Sequence, residues 1–331
     1  MARLRIAVID DWQDYARKSA DWPQVEVRAD VAFFQRHFPQ GSEDEAARLL
    51  ADFDAIQILR ERSWFTEGLL RRLPRLKLLA VTGAKNPNVD LEACTRLGIV
   101  CSRAASGSPA YAGEMALALM LAAARHIPKG DAAMRAGRFQ EGVTPGTVME
   151  GRTLGIVGLG RLGNQMARYG KMLGMKLLAW SQNMTADMAR AAGAELVAME
   201  RLFAEADAVT LHLVLSQRTR GIVGARELTL MKTGAILVNT SRGPLVDQGA
   251  LLEALYAGRI VAALDVYDEE PLPKDHPIRK APNTVLSPHL GFTTIDGLRD
   301  FYRGSVENIL AFLDGAPIHV ANPDVLGSAK P

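Results

Sequence analysis

Leu154-Gly155-Ile156-Val157-Gly158-Leu159-Gly160-Arg161-Leu162-Gly163 is the stretch of this sequence that decides its fold. Its first half is a short apolar run typical of a buried strand, and its second half has the spacing GxGxxG. In that spacing Gly158 permits a tight turn, Gly160 lets a pyrophosphate approach the backbone, and Gly163 lets the next helix pack closely. A helix is expected over about 161–173, and the N–H groups at its start favour phosphate. The alternative is a glycine-rich turn without a ligand, but the strand–turn–helix frame favours a dinucleotide.

The next strand ends at Trp180, where NAD-preferring sites carry an acidic residue ~20 residues beyond the glycine motif. This chain has Ser181-Gln182-Asn183 instead. Ser181 and Gln182 are the predicted cofactor contacts, although ordinary polar loop residues would look the same. No carboxylate is present to repel a 2′-phosphate, and no arginine stands beside Ser181 to attract one. The sequence therefore allows both NAD and NADP, with NADP slightly favoured.

Short apolar runs alternate with amphipathic stretches along most of the chain, which predicts an α/β fold with parallel sheets. An apolar helix is expected over about 110–126, and glycines are expected to end later helices at Gly174, Gly193 and Gly258. The predicted strands cover residues 4–9, 25–27, 55–59, 76–81, 99–101, 154–157, 175–179, 208–213, 235–238, 261–264 and 284–286.

Composition excludes several classes of protein. The chain has 331 residues, is 48% hydrophobic and 23% charged, and carries a net charge of only +2. Nothing here indicates a binder of nucleic acid or of a membrane surface. Cys94 and Cys101 form neither a disulfide framework nor a metal-like spacing with the histidines, so no metal site is expected. The N-terminus lacks the apolar stretch of a signal peptide, and the most apolar segment, 115–124, is too short to span a bilayer. A cytoplasmic protein with reduced thiols is expected.

Three segments with chemically useful side chains each follow a predicted strand: 239–247 with Arg242, 263–271 with Glu270, and 287–291 with His289. Ligands of open α/β sheets bind at the carboxyl ends of strands, so these side chains are expected to converge. A histidine suits proton transfer near neutral pH, a carboxylate orients it, and an arginine clamps a substrate carboxylate. Taken singly, each has an ordinary alternative as a surface arginine, a solvated turn glutamate or a loop histidine. Together they predict hydride transfer to a 2-keto acid.

These ordered motifs resemble the D-isomer-specific 2-hydroxyacid dehydrogenase family over nearly the whole chain. The resemblance implies that His289 is the acid/base, that Glu270 is its partner and that Arg242 is the substrate clamp. Asp265 matches the family aspartate that faces the nicotinamide carboxamide. Further cofactor contacts implied by the resemblance are Arg161, Leu162, Val214, Leu215, Thr219, Thr240, Ser241, His289 and Gly291.

The resemblance also implies two doubly wound, Rossmann-like domains. A cofactor domain, residues 104–291, is inserted into a flavodoxin-like substrate domain, residues 1–103 and 292–331. The expected substrate contacts of the latter are Arg60 and, in the 81–88 loop, Thr82 and Gly83. A homodimer and a small 2-keto or 2-hydroxy acid are the expected partners. A dinucleotide-sensing binding protein, like the corepressors of the family, remains as the alternative because it would keep these motifs.

Overall fold

In a computed structural model that describes residues 3–83, 86–104, 108 and 110–327, parallel strands alternate with helices along the chain. The strands are β1 (Leu4–Val8), β2 (Ala29–Phe33), β3 (Ala55–Ile58), β4 (Leu78–Thr82), β5 (Val100–Ala104), β6 (Thr153–Val157), β7 (Lys176–Trp180), β8 (Glu195–Leu196), β9 (Ala208–Leu211), β10 (Ile236–Asn239), β11 (Val261–Leu264) and β12 (Thr284–Leu286). The helices are α1 (Ala16–Ser19), α2 (Pro23–Glu26), α3 (Glu43–Leu50), α4 (Glu67–Leu70), α5 (Leu91–Arg96), α6 (Ala110–Ala124), α7 (Ile127–Arg135), α8 (Arg161–Met172), α9 (Ala186–Ala191), α10 (Met199–Glu205), α11 (Ala225–Leu230), α12 (Gln248–Tyr256), α13 (Ile295–Leu313) and α14 (Asp324–Gly327).

The chain forms two compact units. Unit 1 comprises Met1–Ser108 and Thr294–Pro331, and unit 2 comprises Pro109–Thr293. The sheet of unit 1 has the order β2-β1-β3-β4-β5, and its strands pair in parallel. This is the flavodoxin-like order, in which the strand sequence reverses between β1 and β3.

The returning segment completes unit 1. Helix α13 packs against β4 and β5 and buries Phe301, Tyr302 and Ile309. Beyond it, Val320 forms an antiparallel bridge with Ser102 at the outer edge of the sheet. The Asn322 side chain then accepts a hydrogen bond from the N–H of Cys101 (2.9 Å) and donates one to the carbonyl of Ile99 (2.9 Å). The edge strand β5 is therefore covered by residues from the far end of the chain.

The sheet of unit 2 has the order β12-β11-β10-β9-β6-β7-β8, again with parallel pairing. Its strand order reverses at β6, which lies between β9 and β7. Helix α6 packs against α8 and against β10 and β11, and its buried side is made of small and apolar residues that include Gly113, Ala116 and Met120. The predicted fold class, α/β with two doubly wound parallel sheets, is confirmed.

One predicted strand is wrong. Val25 and Glu26 belong to helix α2 and Val27 is its C-cap, and the strand that pairs with β1 is Ala29–Phe33. Pro23 stands in the first turn of α2, where its fixed φ and missing N–H suit a helix. Val25 is buried whereas Val27 is 80% exposed. The two valines therefore do not share the pleated face that the apolar pair suggested.

No helix in the described part of the chain is long and apolar enough to cross a membrane.

Candidate active site

Two glycines of the turn in unit 2 have no space for a side chain because backbone packs against them, whereas the third glycine faces free space. Gly158 follows β6 with φ of +95°, and a Cβ there would lie 2.7 Å from the carbonyl oxygen of His212. A Cβ on Gly163 would overlap the carbonyl of Gly158. In contrast, no described atom lies within 4 Å of a Cβ built on Gly160, which stands directly before α8. Because the first N–H groups of a helix have no acceptor within it, this cradle fits a pyrophosphate.

The strands beside the glycine turn end in polar loops. Ser181 is half-buried after β7, and Gln182 beside it is exposed. After β9, the imidazole Nε2 of His212 lies 2.8 Å from the hydroxyl of Thr210, and burial lowers the pKa of His212 to about 4. His212 is therefore neutral near pH 7. Its Nδ1 is buried without a hydrogen-bond partner among the described residues.

The loop from 212 to 219 is held by its own hydrogen bonds. The Thr219 hydroxyl donates to the carbonyl of Val214 (2.7 Å) and accepts from the N–H of Ser216 (2.8 Å). Val214 is 82% exposed, whereas Leu215 is half-buried. Thr219 thus shapes the turn, and Val214 presents an exposed apolar side chain on the loop that follows β9, the strand next to β6.

Arg242 is placed by a side chain that the sequence analysis did not single out. Asn239, the last residue of β10, donates from its amide to the carbonyl of Arg242 (2.9 Å) and accepts from the N–H of Ser241 (3.1 Å). The Ser241 hydroxyl donates to the carbonyl of Leu211 (2.7 Å), which ties this loop to β9. Thr240 is buried, and Arg242 is half-buried. The arginine therefore extends from a backbone that is fixed on both sides.

His289 and Glu270 form a close pair. Nδ1 of His289 lies 2.5 Å from Oε2 of Glu270, and the two side chains are 24% and 32% exposed. The other carboxylate oxygen, Oε1, accepts from the N–H of Tyr267 (2.8 Å). A carboxylate in this position fixes the orientation of the imidazole. The geometry suits a histidine that donates a proton and takes it back.

Asp265 holds the turn next to His289. One carboxylate oxygen accepts from the N–H of Leu290 (2.8 Å) and the other from the N–H of Gly291 (2.7 Å). A Cβ on Gly291 would lie 2.9 Å from this carboxylate, so the approach requires glycine. The Asp265 side chain is 1% exposed, and burial raises its pKa. Its contacts within unit 2 anchor the backbone that follows the histidine.

The structure brings these unit 2 residues to one edge of a sheet. The loops that carry Ser181, Arg242, Glu270 and His289 follow β7, β10, β11 and β12, which run parallel to the strand before the glycine turn. Their carboxyl ends therefore share one edge, the place where open α/β sheets bind ligands. The described residues contain no cluster of three or more His, Cys, Asp or Glu side chains suited to a metal ion.

The predicted substrate contacts of unit 1 also lie together. Arg60 has a left-handed φ of +60°, and its N–H donates to the hydroxyl of Thr82 (2.8 Å). Its guanidinium fills the space in which a Cβ on Gly83 would stand, and its Nε lies 3.3 Å from the Glu61 carboxylate. Residues 84 and 85 of the 81–88 loop lie outside the described part of the chain.

Residues 117–291 match the family described as D-isomer specific 2-hydroxyacid dehydrogenase, NAD binding domain. The chain belongs to this family. A glyoxylate reductase of Aeropyrum pernix is 39% identical over 272 residues, which cover 80% of this chain and 81% of the relative. A D-3-phosphoglycerate dehydrogenase of Archaeoglobus fulgidus is 33% identical over 93% of this chain, which spans only 56% of that longer relative.

Solved structures of the family agree with the fold. The crystal structure of an oxidoreductase from Ralstonia solanacearum superposes with a TM-score of 0.91 at 35% identity and covers 98% of each chain. The dehydrogenase and reductase names of these relatives identify the chain as a nicotinamide-dinucleotide-dependent oxidoreductase of the D-2-hydroxyacid dehydrogenase family.

Proposed function

We propose that this dehydrogenase interconverts a small D-2-hydroxy acid and its 2-keto acid, with His289 as the acid/base, Glu270 as its partner and Arg242 as the clamp of the substrate carboxylate. The observation that carries the proposal is the 2.5 Å contact between Nδ1 of His289 and the Glu270 carboxylate, on loops that share a sheet edge with the glycine turn. Residues of the glycine turn would hold the dinucleotide, which would supply the hydride for the keto carbon.

The same geometry indicates which ring nitrogen of His289 transfers the proton. With Nδ1 on Glu270, Nε2 is the ring nitrogen that gives a proton to the keto oxygen during reduction and takes it from the hydroxyl during oxidation. The Glu270 carboxylate, by binding Nδ1, holds the ring in the orientation that leaves Nε2 for this transfer. Arg242 binds the substrate carboxylate through a planar, two-point contact and holds the carbonyl towards His289.

We propose that unit 1 contacts the substrate with Arg60, Thr82 and Gly83. The Arg60 guanidinium lies against the bare backbone of Gly83, which has φ of +94°, so we propose that the arginine and this loop contact the substrate together. The names of the relatives point to glyoxylate and to three-carbon keto acids as first candidates. Rates of NADH and NADPH oxidation with glyoxylate, hydroxypyruvate, pyruvate and phenylpyruvate test this. Cofactor binding without turnover of any of them supports the alternative of a dinucleotide sensor.

His289→Gln tests the acid. We expect kcat to fall by ~10²–10⁴, the range of general acid–base contributions, with little change in cofactor affinity. His126→Gln is a matched control, because His126 is a second unit 2 histidine with left-handed backbone, φ of +51° against +54° for His289. Near-normal turnover of the His289 variant would remove the role assigned to this residue.

For the cofactor we propose that NADPH is accepted at least as well as NADH, with a modest preference. Ser181 follows β7 at the position where an acidic residue would repel a 2′-phosphate, and neither Gln182 nor Asn183 carries a charge. The Ser181 hydroxyl can donate to a phosphate oxygen or bind a ribose hydroxyl, so the site excludes neither dinucleotide.

We propose that the cofactor-binding units pair in a homodimer. Large apolar side chains are exposed in the segment after α6, where Met134, Phe139 and Val148 are 58%, 69% and 65% exposed. These three side chains lie within 15 residues of the sequence, and exposed apolar surface is what a partner subunit would cover. Light scattering at micromolar concentration measures the mass, and a monomer would refute the proposal.

A further inference from the structure

Tyr267 contacts each of the three segments that carry the candidate catalytic side chains. It follows β11, three residues before Glu270, and its N–H donates to Oε1 of that glutamate (2.8 Å). Its hydroxyl donates to the carbonyl of Ser287 (2.9 Å), two residues before His289. The peptide that joins it to Asp268 packs against Gly243, which directly follows Arg242.

We propose that Tyr267 is a positioning residue for the Glu270–His289 pair, an inference that rests on the proposed function. The two residues of the pair belong to different loops, after β11 and after β12. Tyr267 is hydrogen-bonded to both loops. Its N–H donates to one oxygen of Glu270, and its hydroxyl donates to the backbone that leads to His289. With Oε1 held in this way, Oε2 is the oxygen that faces Nδ1.

The hydroxyl of Tyr267 is suited to act as a permanent donor. Burial, with the nearby carboxylates of Asp265 and Glu270, raises the pKa of this phenol, so it keeps its proton throughout the working range of an enzyme. The acceptor, the carbonyl of Ser287, belongs to the segment that passes from β12 to the left-handed His289. Loss of this one hydrogen bond would loosen the histidine relative to the glutamate.

The ring of Tyr267 has a separate, structural role. It packs against the apolar core of unit 2, which includes Leu245 and Leu264. Phenylalanine retains this packing and the backbone N–H, and it removes only the hydroxyl. Tyr267→Phe therefore separates the proposed positioning from core packing.

We expect Tyr267→Phe to lower kcat by about 2- to 10-fold, the equivalent of one hydrogen bond, while KM for the keto acid and Kd for NADPH stay constant. Tyr256→Phe is the matched control, because Tyr256 is a unit 2 tyrosine whose ring is 57% exposed and whose hydroxyl lies 3.4 Å from the carbonyl of Pro277. Its kcat should equal that of the unmodified protein. Equal kcat in Tyr267→Phe would overturn the proposal.

A double-mutant cycle with Glu270→Gln distinguishes positioning of the pair from a general loss of structure. If Tyr267 acts through the pair, adding Tyr267→Phe to Glu270→Gln costs little more turnover. The same fractional loss in both backgrounds would show that the hydroxyl acts independently of the pair and would overturn the inference. If Glu270→Gln alone keeps full turnover, the assigned role of Glu270 fails, and the inference fails with it. Thermal unfolding of each variant and its NADPH-binding fluorescence show that the fold is retained.

Discussion

Gly243 rests against the peptide bond between Tyr267 and Asp268, so that the loop of Arg242 and the loop of Glu270 touch through their backbones. A Cβ on Gly243 would overlap the carbonyl carbon and oxygen of Tyr267. The loop of the proposed substrate clamp can therefore lie this close to the loop of Glu270 only because residue 243 has no side chain.

Gly243→Ala should push these two loops apart. We expect a stability loss of about 1–3 kcal/mol, as for other insertions into packed sites, together with a higher KM for the keto acid and a lower kcat. Gly249→Ala is the control, because a Cβ on that α12 residue would meet only the Asp247 carboxylate at 3.4 Å. Steady-state kinetics and thermal unfolding measure both variants. Unchanged kinetics in Gly243→Ala would show that the close approach has no part in the site.

Arg242→Lys tests the clamp. Lysine keeps the charge but lacks the planar pair of donors that binds a carboxylate at two points. We expect kcat/KM for the keto acid to fall about 10- to 100-fold, in line with hydrogen bonds to charged groups, without loss of cofactor affinity. Arg226→Lys is a fair comparison, since Arg226 forms an exposed ion pair with Glu200. If kcat/KM falls no further in Arg242→Lys than in Arg226→Lys, Arg242 has a structural role only.

Ser181→Asp should move cofactor preference towards NADH. The new carboxylate would bind the ribose hydroxyls of NADH and would place like charge against the 2′-phosphate of NADPH. The measurement is kcat/KM for both cofactors on one keto acid. Asn183→Asp, two positions further into the same loop, is the comparison for a charge that is near but not at the strand end. A strong NADH preference in the unmodified protein would contradict the proposed cofactor range.

Asp10 should make the stability of unit 1 depend on pH. Burial raises the pKa of Asp10 from 3.8 to about 7, against the opposing hydrogen bonds from Ser63 and Leu59. The folded chain therefore keeps a proton that the unfolded chain releases, and the stabilisation present below pH ~4 is lost as the pH rises towards ~7. The slope reaches about 1.4 kcal/mol per pH unit between these limits.

Asp10→Asn should flatten this slope, because asparagine does not titrate and tolerates the left-handed φ of +69° at this position. Urea unfolding followed by tryptophan fluorescence at several pH values between 4 and 7 gives the comparison. Asp52→Asn, at a side chain that is 75% exposed, should leave the slope as it is. Parallel slopes for the Asp10 variant and the unmodified protein would show that Asp10 titrates normally.

Local patterns predicted the parts of the site that depend on local geometry. GxGxxG between a strand and a helix is typical of a dinucleotide site, and side chains that follow parallel strands share an edge. Residue type and position after a strand therefore single out Arg242, Glu270 and His289 as candidates. Tyr267 and Asn239 were missed because their contacts reach backbone groups of other segments, which no spacing in the sequence reveals. The strand prediction for residues 25–27 is wrong because two valines at alternate positions fit a period of two, whereas the helix that starts at Pro23 places them on opposite sides, one buried and one exposed.

Unit 1 is built from two ends of the chain, with α13 and Asn322 lying against β4 and β5. A ribosome releases the five strands of this sheet first and then synthesises all of unit 2 before the helix that covers them. At ~5–20 residues per second, the interval is on the order of ten seconds or more. Throughout it, the apolar face that later receives Phe301 and Ile309 stays uncovered. Unit 2, continuous in sequence, can complete its own core first, so the order of synthesis makes the dinucleotide-binding unit the first finished part of the nascent protein and leaves the sheet of unit 1 waiting for its covering helix.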